Sequence, residues 1–515
     1  MPSTSSSVVV SLPAGQQMTL TTTGEAYADV LAGVIGAGFD SIRALPNRPR
    51  VIGPYGADAS LRIRATGGTA TYETRDPNPT AAAAVAGAFA QGSTIIGGLG
   101  DSITAQFTTT NGNGAQTEYR SKGFLTWLMI LSDGALFTSR ALNHGVSGQT
   151  SKQIADRSAA AAADMKSRGA RYCTVHMGTN DLNDATVDEA QIVTNLSTAC
   201  ENLMKEGITP IVIPILPRFY DSGVVGTALT TERRLTLQRW ARAQRNYTRS
   251  TPGALLCDPT IPFTDQSDAL GYPIGREGST NATMGKLAYT NDGLHPSPRG
   301  AFLIARMLLD LLKPRLSVIA PRVVSQADVY DATYNPGGNR FTNGFMKGTV
   351  AQSGTAAGTG ATGVTNLRQS AGTGTVTVSK GTRTVQGVAM ETQTCTTTGT
   401  GAAIELYRSY ITINVTAGQL VEIDWALAVS NVTPGSLTKL EMFAACGTNW
   451  YAKRDETGLY QPDDAWAGTL TVPSFIAPVS GQMYVILEWG IDGTVTNAGA
   501  QIDTLRINVR VTDVA

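Results

Sequence analysis

Short apolar runs alternate with amphipathic stretches through the middle of the chain, from about residue 91 to residue 318. The runs TIIGGLG, RYCTVHMG and TPIVIPIL are apolar at nearly every position, which is typical of strands buried on both faces of a sheet. Residues 124–131 and 188–205, and later ERRLTLQRWARAQRNY and PRGAFLIARMLLDLL, have the apolar spacing of helices. This alternation predicts an α/β domain whose parallel sheet is covered by helices on both faces.

Both flanks of this segment have a different pattern, with short extended runs between Gly and Pro residues. SVVVSL, QMTLTTT and ASLRIRATGGTATYETR predict a small β-rich module within residues 1–90, and DPNPTAAAAVAGAFAQG then forms either a linker or a short Ala-rich helix. Further on, the chain becomes rich in Gly and Thr, which is typical of a disordered linker or of strands. The period-two alternation over residues 421–429 and 505–511 favours half-buried antiparallel strands. We therefore expect a β-sandwich, of the jelly-roll type, over residues 330–515.

Composition excludes several classes of protein. The 515 residues suffice for about three domains, and 40 basic residues balance 40 acidic ones. There is no Lys/Arg-rich run of the kind that binds nucleic acid, and no stretch apolar and long enough to span a membrane. The five cysteines form no CxxC pair, which favours reduced thiols, and the first residues lack the pattern of a Sec signal peptide. We expect synthesis in a reducing cytosol.

The first candidate for chemistry is Ser102, which follows the run TIIGGLG together with Asp101. Side chains placed directly after a strand of a parallel sheet stand at its carboxyl edge, where open α/β folds bind ligands. Ser102 is therefore a candidate nucleophile, and Asp101 is a residue that shapes the turn. The alternative is a turn in which both residues only cap a helix.

A serine nucleophile needs a base, and the chain has only three histidines, His144, His176 and His295. His295 lies in YTNDGLHPSPRG, three residues after Asp292, so that one turn can bring a carboxylate to the imidazole and fix its tautomer. The alternative is an Asx-type turn whose histidine only packs. His144 and His176 are interpreted as structural residues.

Acyl transfer also needs hydrogen-bond donors where negative charge develops on the substrate oxygen. The segment ALNHGVSGQT contains Gly148, whose backbone N–H can approach a ligand closely, and VHMGTNDLND contains Asn180, whose amide is a neutral donor. Both segments follow apolar runs, as Ser102 does. Taken one at a time, each is also compatible with an ordinary turn.

The segments GDSI, NHGVSGQT, GTND and DGLHP resemble, in order and approximate spacing, the four blocks of the SGNH, or GDSL, hydrolase family. The resemblance covers about residues 92–316 and implies a flavodoxin-like, three-layer α/β/α domain, which we place at residues 91–318. No G-x-S-x-G segment occurs in the chain, which argues against the α/β-hydrolase fold.

Carried over to this sequence, the resemblance assigns a role to five residues. It implies Ser102 as the nucleophile and Asp292 with His295 as the other members of a triad. It also implies that the N–H groups of Ser102 and Gly148 and the side-chain amide of Asn180 form the oxyanion hole. We expect no metal ion and no other cofactor.

The arrangement as a whole resembles bacteriophage tail-spike and tail-fibre esterases, in which a compact hydrolase is flanked by β-rich segments. This resemblance implies a homotrimer of the virion tail that removes acetyl groups from an acetylated bacterial surface polysaccharide, and that acts outside the cell although it has no signal peptide. Among enzymes, the alternative is a lipase-like esterase or thioesterase. Outside the enzymes, it is a receptor-binding spike without catalysis.

Four aromatic residues bear on carbohydrate binding. Trp450, Tyr451, Tyr460 and Trp466 lie in a turn-rich stretch, where their rings either stack on sugars or pack within the protein.

Overall fold

The computed structural model describes most of the chain after residue 92 and, as backbone alone, the strands between residues 3 and 75. The described ranges are 93–110, 117–220, 227–267, 271, 273, 288–316, 328–335, 337–352, 355–369, 373–385, 388–401, 404–446, 449–451 and 460–513. The predicted linker or helix at residues 76–92 lies outside them. The domain boundaries near residues 90, 318 and 330 stay predictions.

The N-terminal strands pair in two four-stranded antiparallel sheets, with the orders β1-β8-β3-β6 and β2-β7-β4-β5. The strands are β1 Ser3–Thr4, β2 Ser7–Leu12, β3 Gln17–Thr22, β4 Ala26–Ala32, β5 Ser41–Ala44, β6 Arg50–Ile52, β7 Ala59–Ala65 and β8 Ala70–Arg75. Strands β2, β3, β7 and β8 lie within the extended runs that indicated strands in the sequence, whereas β1, β4, β5 and β6 lie outside them. The separate N-terminal module stays a prediction.

The middle of the chain forms a parallel sheet with the order β12-β9-β14-β15-β16, and β13 extends the pairing of β12 along the same edge of β9. Its strands are β9 Thr94–Gly100, β12 Leu136–Phe137, β13 Asn143–Gly145, β14 Tyr172–His176, β15 Thr209–Val212 and β16 Leu255–Leu256. A small antiparallel pair, β10 Thr108–Thr110 and β11 Thr117–Tyr119, follows β9. The order along the sheet is that of flavodoxin-like folds, so the predicted parallel α/β sheet is confirmed.

Helices cover this sheet on both faces. They are α1 Ser102–Ala105, α2 Phe124–Leu131, α3 Ser151–Ser167, α4 Glu189–Lys205, α5 Thr231–Ser250, α6 Thr260–Phe263 and α7 Pro298–Leu312. The pair α2 and α7 packs on one face, where Ile96 and Ile211 point, and α3, α4 and α5 pack side by side on the other, where Leu99 and Val175 point. Helix α3 was not predicted, although a Thr150/Gln153 capping box begins it.

The C-terminal β region consists of two sheets whose buried faces share one core. The first has the order β17-β18-β20-β21-β29-β23-β26 with β27 also on β23, and the second has the order β19-β22-β28-β24-β25. The strands are β17 Val350–Ala351, β18 Ala356–Gly360, β19 Thr365–Arg368, β20 Thr375–Val385, β21 Val388–Thr398, β22 Glu405–Val415, β23 Gln419–Ser430, β24 Leu437–Cys446, β25 Asn449–Tyr451, β26 Trp466–Thr471, β27 Phe475–Ile476, β28 Gly481–Ile491 and β29 Gly499–Asp513. A separate β-rich region is thus confirmed, whereas the jelly-roll connection stays a prediction.

One expectation about this region is wrong. Strand β23 is buried on both faces and not on one, because its polar face also has partners within the protein. Asp424 accepts a hydrogen bond from Asn508 Nδ2 at 3.1 Å, and Arg506 on the neighbouring strand reaches Asp133 of the α/β domain.

The α/β domain and the C-terminal β region share an extensive interface. The fully buried Trp127 of α2 packs edge-to-face on Phe302 of α7 and on Trp466 of β26, each at a ring-centroid distance of 5.3 Å. At Gly468 the backbone approaches α2 so closely that a Cβ would lie 2.3 Å from the Ile130 carbonyl oxygen. The interface therefore covers the edge strand β26 and joins the two regions through one continuous apolar core.

Ion pairs surround these rings. Arg299 of α7 pairs with Asp463, and Arg306 pairs with Asp464 at 2.8 Å. Asp133, at the end of α2, accepts a hydrogen bond from Thr469. The polar contacts fix the relative orientation of two surfaces that the apolar contacts hold together.

Candidate active site

Three of the sequence-predicted residues follow neighbouring strands of the parallel sheet. Ser102 comes directly after β9, Gly148 follows β13, and Asn180 follows β14. Since these strands are parallel and adjacent, all three turns lie at one carboxyl edge. This is the edge where the order of strands reverses, which is the usual ligand site of such sheets.

The turn after β9 is fixed by Asp101, which is fully buried. Asp101 Oδ1 accepts a hydrogen bond from the Ile103 N–H at 2.9 Å and so caps α1, with Ser102 as the first residue of that helix. Gly100 has no space for a side chain, because a Cβ would lie 2.5 Å from the carbonyl oxygen of His176. Asp101 thus shapes the turn, and Ser102 is left to face the neighbouring loops.

Ser102, His295 and Asp292 form a continuous chain of hydrogen bonds. Ser102 Oγ lies 2.8 Å from His295 Nε2, and His295 Nδ1 lies 2.7 Å from Asp292 Oδ2. The other carboxylate oxygen of Asp292 accepts the N–H groups of Leu294 at 3.0 Å and His295 at 2.8 Å. One carboxylate therefore holds both the backbone of the turn and the imidazole.

The electrostatics of Asp292 determine which nitrogen of His295 carries the proton. Burial alone would raise the pKa of Asp292, but its hydrogen bonds with His295 and Leu294 and the nearby imidazole together lower this pKa below its ordinary value. An ionised carboxylate accepts hydrogen bonds and donates none, so His295 Nδ1 carries the proton and Nε2 accepts from the Ser102 hydroxyl. This is the arrangement in which a histidine can deprotonate a serine.

The expected oxyanion-hole residues lie in turns at the same carboxyl edge as Ser102. Gly148 has a φ of +80°, a conformation that favours glycine, and open space on the side where a Cβ would stand. In the described part of the chain, no protein group accepts a hydrogen bond from the N–H of Ser102 or of Gly148. Asn180 Nδ2 donates to the Gln149 carbonyl oxygen at 2.9 Å and keeps a second hydrogen for another acceptor.

Arg157, on α3, connects two of these turns and was not predicted from the sequence. Its Nη2 donates to the Gly100 carbonyl oxygen at 2.8 Å, and its Nε donates to Gln149 Oε1 at 2.6 Å. Gln149, in the turn after β13, also accepts a hydrogen bond from Asn180 in the turn after β14. Arg157 and Gln149 together therefore link the turns after β9, β13 and β14. The sequence carries one signal for its position, the Thr150 capping box, which begins the helix of Arg157 after Gly148.

Asp181, beside Asn180, fixes the start of α3. It accepts hydrogen bonds from the Ser151 N–H at 2.7 Å and from Ser151 Oγ at 2.5 Å, and Asn195 Nδ2 donates to the same hydroxyl at 2.8 Å. Burial raises the pKa of Asp181, while the hydrogen bonds from Ser151 act in the opposite direction. This buried network joins the GTND segment to the helix after Gly148.

The other histidines lie apart from the Ser102 hydroxyl. His176 is fully buried at the end of β14, and its Nδ1 lies 3.4 Å from Asp101 Oδ2. His144 Nε2 lies 3.1 Å from Asp164 Oδ2 on α3, and burial lowers the pKa of His144. Each of these histidines thus lies beside an aspartate, and the structural role of both stays a prediction.

The remaining candidates whose side chains the structure describes have their contacts elsewhere. All five cysteines are free and buried. Among the described residues, no three His, Cys, Asp or Glu side chains come together as metal ligands, and no helix is long and apolar enough to cross a membrane. Trp466 packs in the interface, and Tyr460 donates to Asp492 Oδ2 at 3.0 Å, whereas the side chains of Trp450 and Tyr451 lie outside the described residues.

Known proteins resemble this part of the chain. Residues 99–301 match the model of the GDSL-like lipase/acylhydrolase family, whereas no curated protein matches the chain. A GDSL-like lipase from Bacteroides thetaiotaomicron is 16% identical, over 44% of this chain and 90% of its own, with a TM-score of 0.31. A carbohydrate esterase of family 3 from Talaromyces cellulolyticus is 18% identical, over 43% of this chain and 99% of its own, with a TM-score of 0.28. The matched segment includes the turns of the carboxyl edge described above, so this part of the chain is similar to the GDSL-like lipase/acylhydrolase family.

Proposed function

We propose that this chain is a serine esterase that removes acetyl groups from a bacterial surface polysaccharide, with Ser102 as nucleophile. The observation that carries the proposal is the chain of hydrogen bonds from Ser102 Oγ through His295 to Asp292, at 2.8 Å and 2.7 Å. Serine is a weak nucleophile unless a base takes its proton, and this chain of contacts provides that base.

The reaction proceeds in two stages. Ser102 Oγ attacks the acyl carbon while its proton passes to His295 Nε2, and Asp292 stabilises the imidazolium. The N–H groups of Ser102 and Gly148 and the free hydrogen of Asn180 stabilise the oxyanion. When the bond between the acyl carbon and the sugar oxygen breaks, that oxygen takes the proton from His295 and leaves as a hydroxyl. Water, deprotonated by His295, then attacks the acyl-enzyme, releases acetate and restores Ser102.

The openness of the site supports a small acyl group on a large alcohol. The side chains of His295 and Asp292 are 21% and 37% exposed, and Val146 beside Gly148 is 42% exposed. A long acyl chain would need an apolar tunnel to become buried. An acetyl group needs little burial, and a polymer can lie across an open edge.

The setting that we propose is a homotrimeric tail spike or tail fibre of a bacteriophage. Support comes from the distribution of strands, since β-rich segments precede and follow the hydrolase domain. In this proposal the flanking segments bring the domain to the polymer, so that effective concentration offsets weak binding at the edge.

The experiment that tests the chemistry is hydrolysis of p-nitrophenyl acetate by the full chain and by Ser102→Ala. We expect the substitution to lower kcat by about four to six orders of magnitude, because the nucleophile is lost while the fold is kept. Ser167→Ala is the matched control, since that hydroxyl lies on α3 and donates to the Asp164 carbonyl oxygen. Near wild-type turnover in Ser102→Ala would refute the assignment.

The substrate is tested separately, by incubating the wild-type chain with host polysaccharide and measuring acetate and polymer length together. We expect acetate release without shortening. Shortened polymer would identify a depolymerase. If the chain hydrolyses p-nitrophenyl acetate but releases no acetate from the polymer, a lipase-like esterase or thioesterase is favoured. If it has neither activity, a binding spike is the better description.

A further inference from the structure

A cavity of about 280 Å³ lies next to strand β15, between the segment that follows this strand and helix α5. Four of its lining residues are arginines, Arg218, Arg234, Arg242 and Arg245, and no Asp or Glu is among the lining residues that the structure describes. The volume is near the lower limit for small-molecule sites and corresponds to about one sugar unit. None of the four arginines takes part in the chemistry proposed above.

The four guanidinium groups differ in their burial and in their contacts with other residues of the chain. Arg218 and Arg234 are buried and have further interactions within the chain. Arg245 Nη1 donates to Thr260 Oγ1 at 2.8 Å and lies 3.3 Å from Asp258 Oδ2, so one carboxylate offsets part of its charge. Arg242 is exposed on α5. Arg242 is therefore the most accessible of the four guanidinium groups, and the other three add positive charge to the same wall.

Apolar side chains complete the cavity. Pro217 and Leu237 line it, and Ile261 at its border is 67% exposed. A ligand that fits both kinds of wall has an apolar face and an anionic group. Guanidinium groups bind planar carboxylates and phosphates through paired hydrogen bonds. An acidic sugar has this combination, because its ring presents C–H groups and its substituent carries the charge.

Arg218 connects the cavity to the proposed active site. Its Nη1 donates to the carbonyl oxygen of Thr179, the residue before Asn180, at 3.0 Å. The next residue, Phe219, donates its N–H to the carbonyl oxygen of Gly293, the residue after Asp292, at 2.6 Å. One segment therefore forms a wall of the cavity and supports two turns of the carboxyl edge.

We propose that this cavity binds an anionic group on a sugar unit of the substrate polymer, so that the polysaccharide is acidic. This inference rests on the proposed function for the identity of the polymer, although the binding itself requires no catalysis. The same guanidinium groups would also accept a free anion such as phosphate. The experiment therefore distinguishes an anion attached to a sugar chain from a free one.

Binding is measured by calorimetry on the full chain carrying Ser102→Ala. The probes are tetragalacturonic acid, the neutral maltotetraose, and inorganic phosphate. We expect tetragalacturonic acid to bind more tightly than either of the others, with an affinity that falls as salt rises. Adding Arg242→Gln should weaken its binding about tenfold, through the loss of a charge-assisted hydrogen bond. Arg249→Gln, on the exposed surface of the same helix and outside the cavity, should change it less than twofold.

Circular dichroism and thermal unfolding of both arginine variants show whether each is folded. Equal binding of the acidic and neutral sugars, or equal effects of Arg242→Gln and Arg249→Gln, would overturn the proposal. Phosphate binding that depends on Arg242, without binding of the acidic sugar, would overturn it in favour of a free-anion site. The esterase proposal is tested separately, by measuring p-nitrophenyl acetate turnover of the chain with Ser102 intact.

Discussion

At the carboxyl edge of the parallel sheet, neighbouring turns are joined by single polar contacts, whereas at the interface with the C-terminal β region helices and strands are joined by packed rings. The edge depends on contacts such as Arg157 to Gly100 and Asn180 to Gln149. The interface depends on Trp127 and Trp466, both buried. The difference indicates where function and stability can be changed independently.

The loss of a polar contact and the loss of a packed ring lower the free energy of unfolding by different amounts. A hydrogen bond between partly exposed groups contributes about 1 kcal/mol to folding, because water replaces the lost partner, yet it can fix a reacting atom to within a fraction of an ångström. A buried ring contributes several kcal/mol to folding but does not orient a reacting atom. Substitutions at the edge should therefore change kcat, and those at the interface should change the free energy of unfolding.

The largest effect at the edge, after loss of the proposed nucleophile Ser102, is expected for Asp292→Asn. The amide keeps the shape but can impose the wrong tautomer on His295 and leaves the imidazolium without a carboxylate, so kcat should fall about 10⁴-fold. Asp156→Asn is the control, since Asp156 is exposed and pairs with the exposed Lys152 on α3. A kcat within tenfold of wild type would show that His295 does not depend on this carboxylate.

The same variant tests the pH dependence of stability. The pKa of Asp292 in the folded chain lies below the ordinary value of 3.8, so the stabilisation by its ionised form is present above that value and is lost as pH falls through the folded pKa. Asp292→Asn should therefore lose less stability than wild type when the pH is lowered from about 5 to below 3. Denaturant titrations at both pH values measure the difference.

At the interface, Trp466→Ala should lower the free energy of unfolding by about 3–5 kcal/mol, because it removes the ring that covers Trp127. The kcat of the folded fraction should be unchanged, as Trp466 lies in the interface and not at the carboxyl edge. Tyr334→Ala, which truncates a ring that is 65% exposed, is the control. A Trp466→Ala chain as stable as wild type would mean that the two regions fold independently.

The order of strands and helices could be predicted because most elements are long enough to show a regular spacing of apolar residues. The strand Thr94–Gly100 and the helices Phe124–Leu131 and Pro298–Leu312 have the bounds that their patterns indicated. Helix Ser151–Ser167 was missed because alanines and polar residues dominate it, so its pattern has little amphipathic contrast. The strand TPIVIPIL is longer in the prediction than in the structure, where β15 ends at Val212.

The candidate site could be predicted as far as its chemistry depends on residue type. Serine, histidine and aspartate in short turns indicated Ser102, His295 and Asp292, and the structure places these three within hydrogen-bond distance. The contacts of Arg157 and the interface at Trp466 could not be predicted, because each joins residues from segments that have no relation in sequence. Because of that interface, removal of residues 330–515 would expose Trp127.

Among the proposed oxyanion donors, only Asn180 can be tested by side-chain substitution. Asn180→Ala should lower kcat by about two to three orders of magnitude with little change in KM, because the hydrogen bond strengthens as charge develops. Asn202→Ala is the control, since Asn202 donates a comparable hydrogen bond to Ser158 Oγ between α3 and α4. A change confined to KM would make Asn180 a substrate-binding residue.

The smallest effect at the edge is expected for Arg157, which acts only through other residues. Arg157→Met removes both of its hydrogen bonds, so the turns that carry Ser102 and Gly148 lose their common support and kcat should fall about 100-fold with KM nearly unchanged. Arg157→Lys keeps the charge and can still reach one acceptor, so it should recover part of this loss, with kcat about tenfold below wild type. Arg168→Lys, which changes an exposed pair with Asp164 at the end of the same helix, should leave kcat unchanged. If Arg157 served only the packing of α3, both Arg157 variants would lower the unfolding temperature without a loss confined to kcat. Steady-state kinetics and thermal unfolding of the same variants distinguish the two roles.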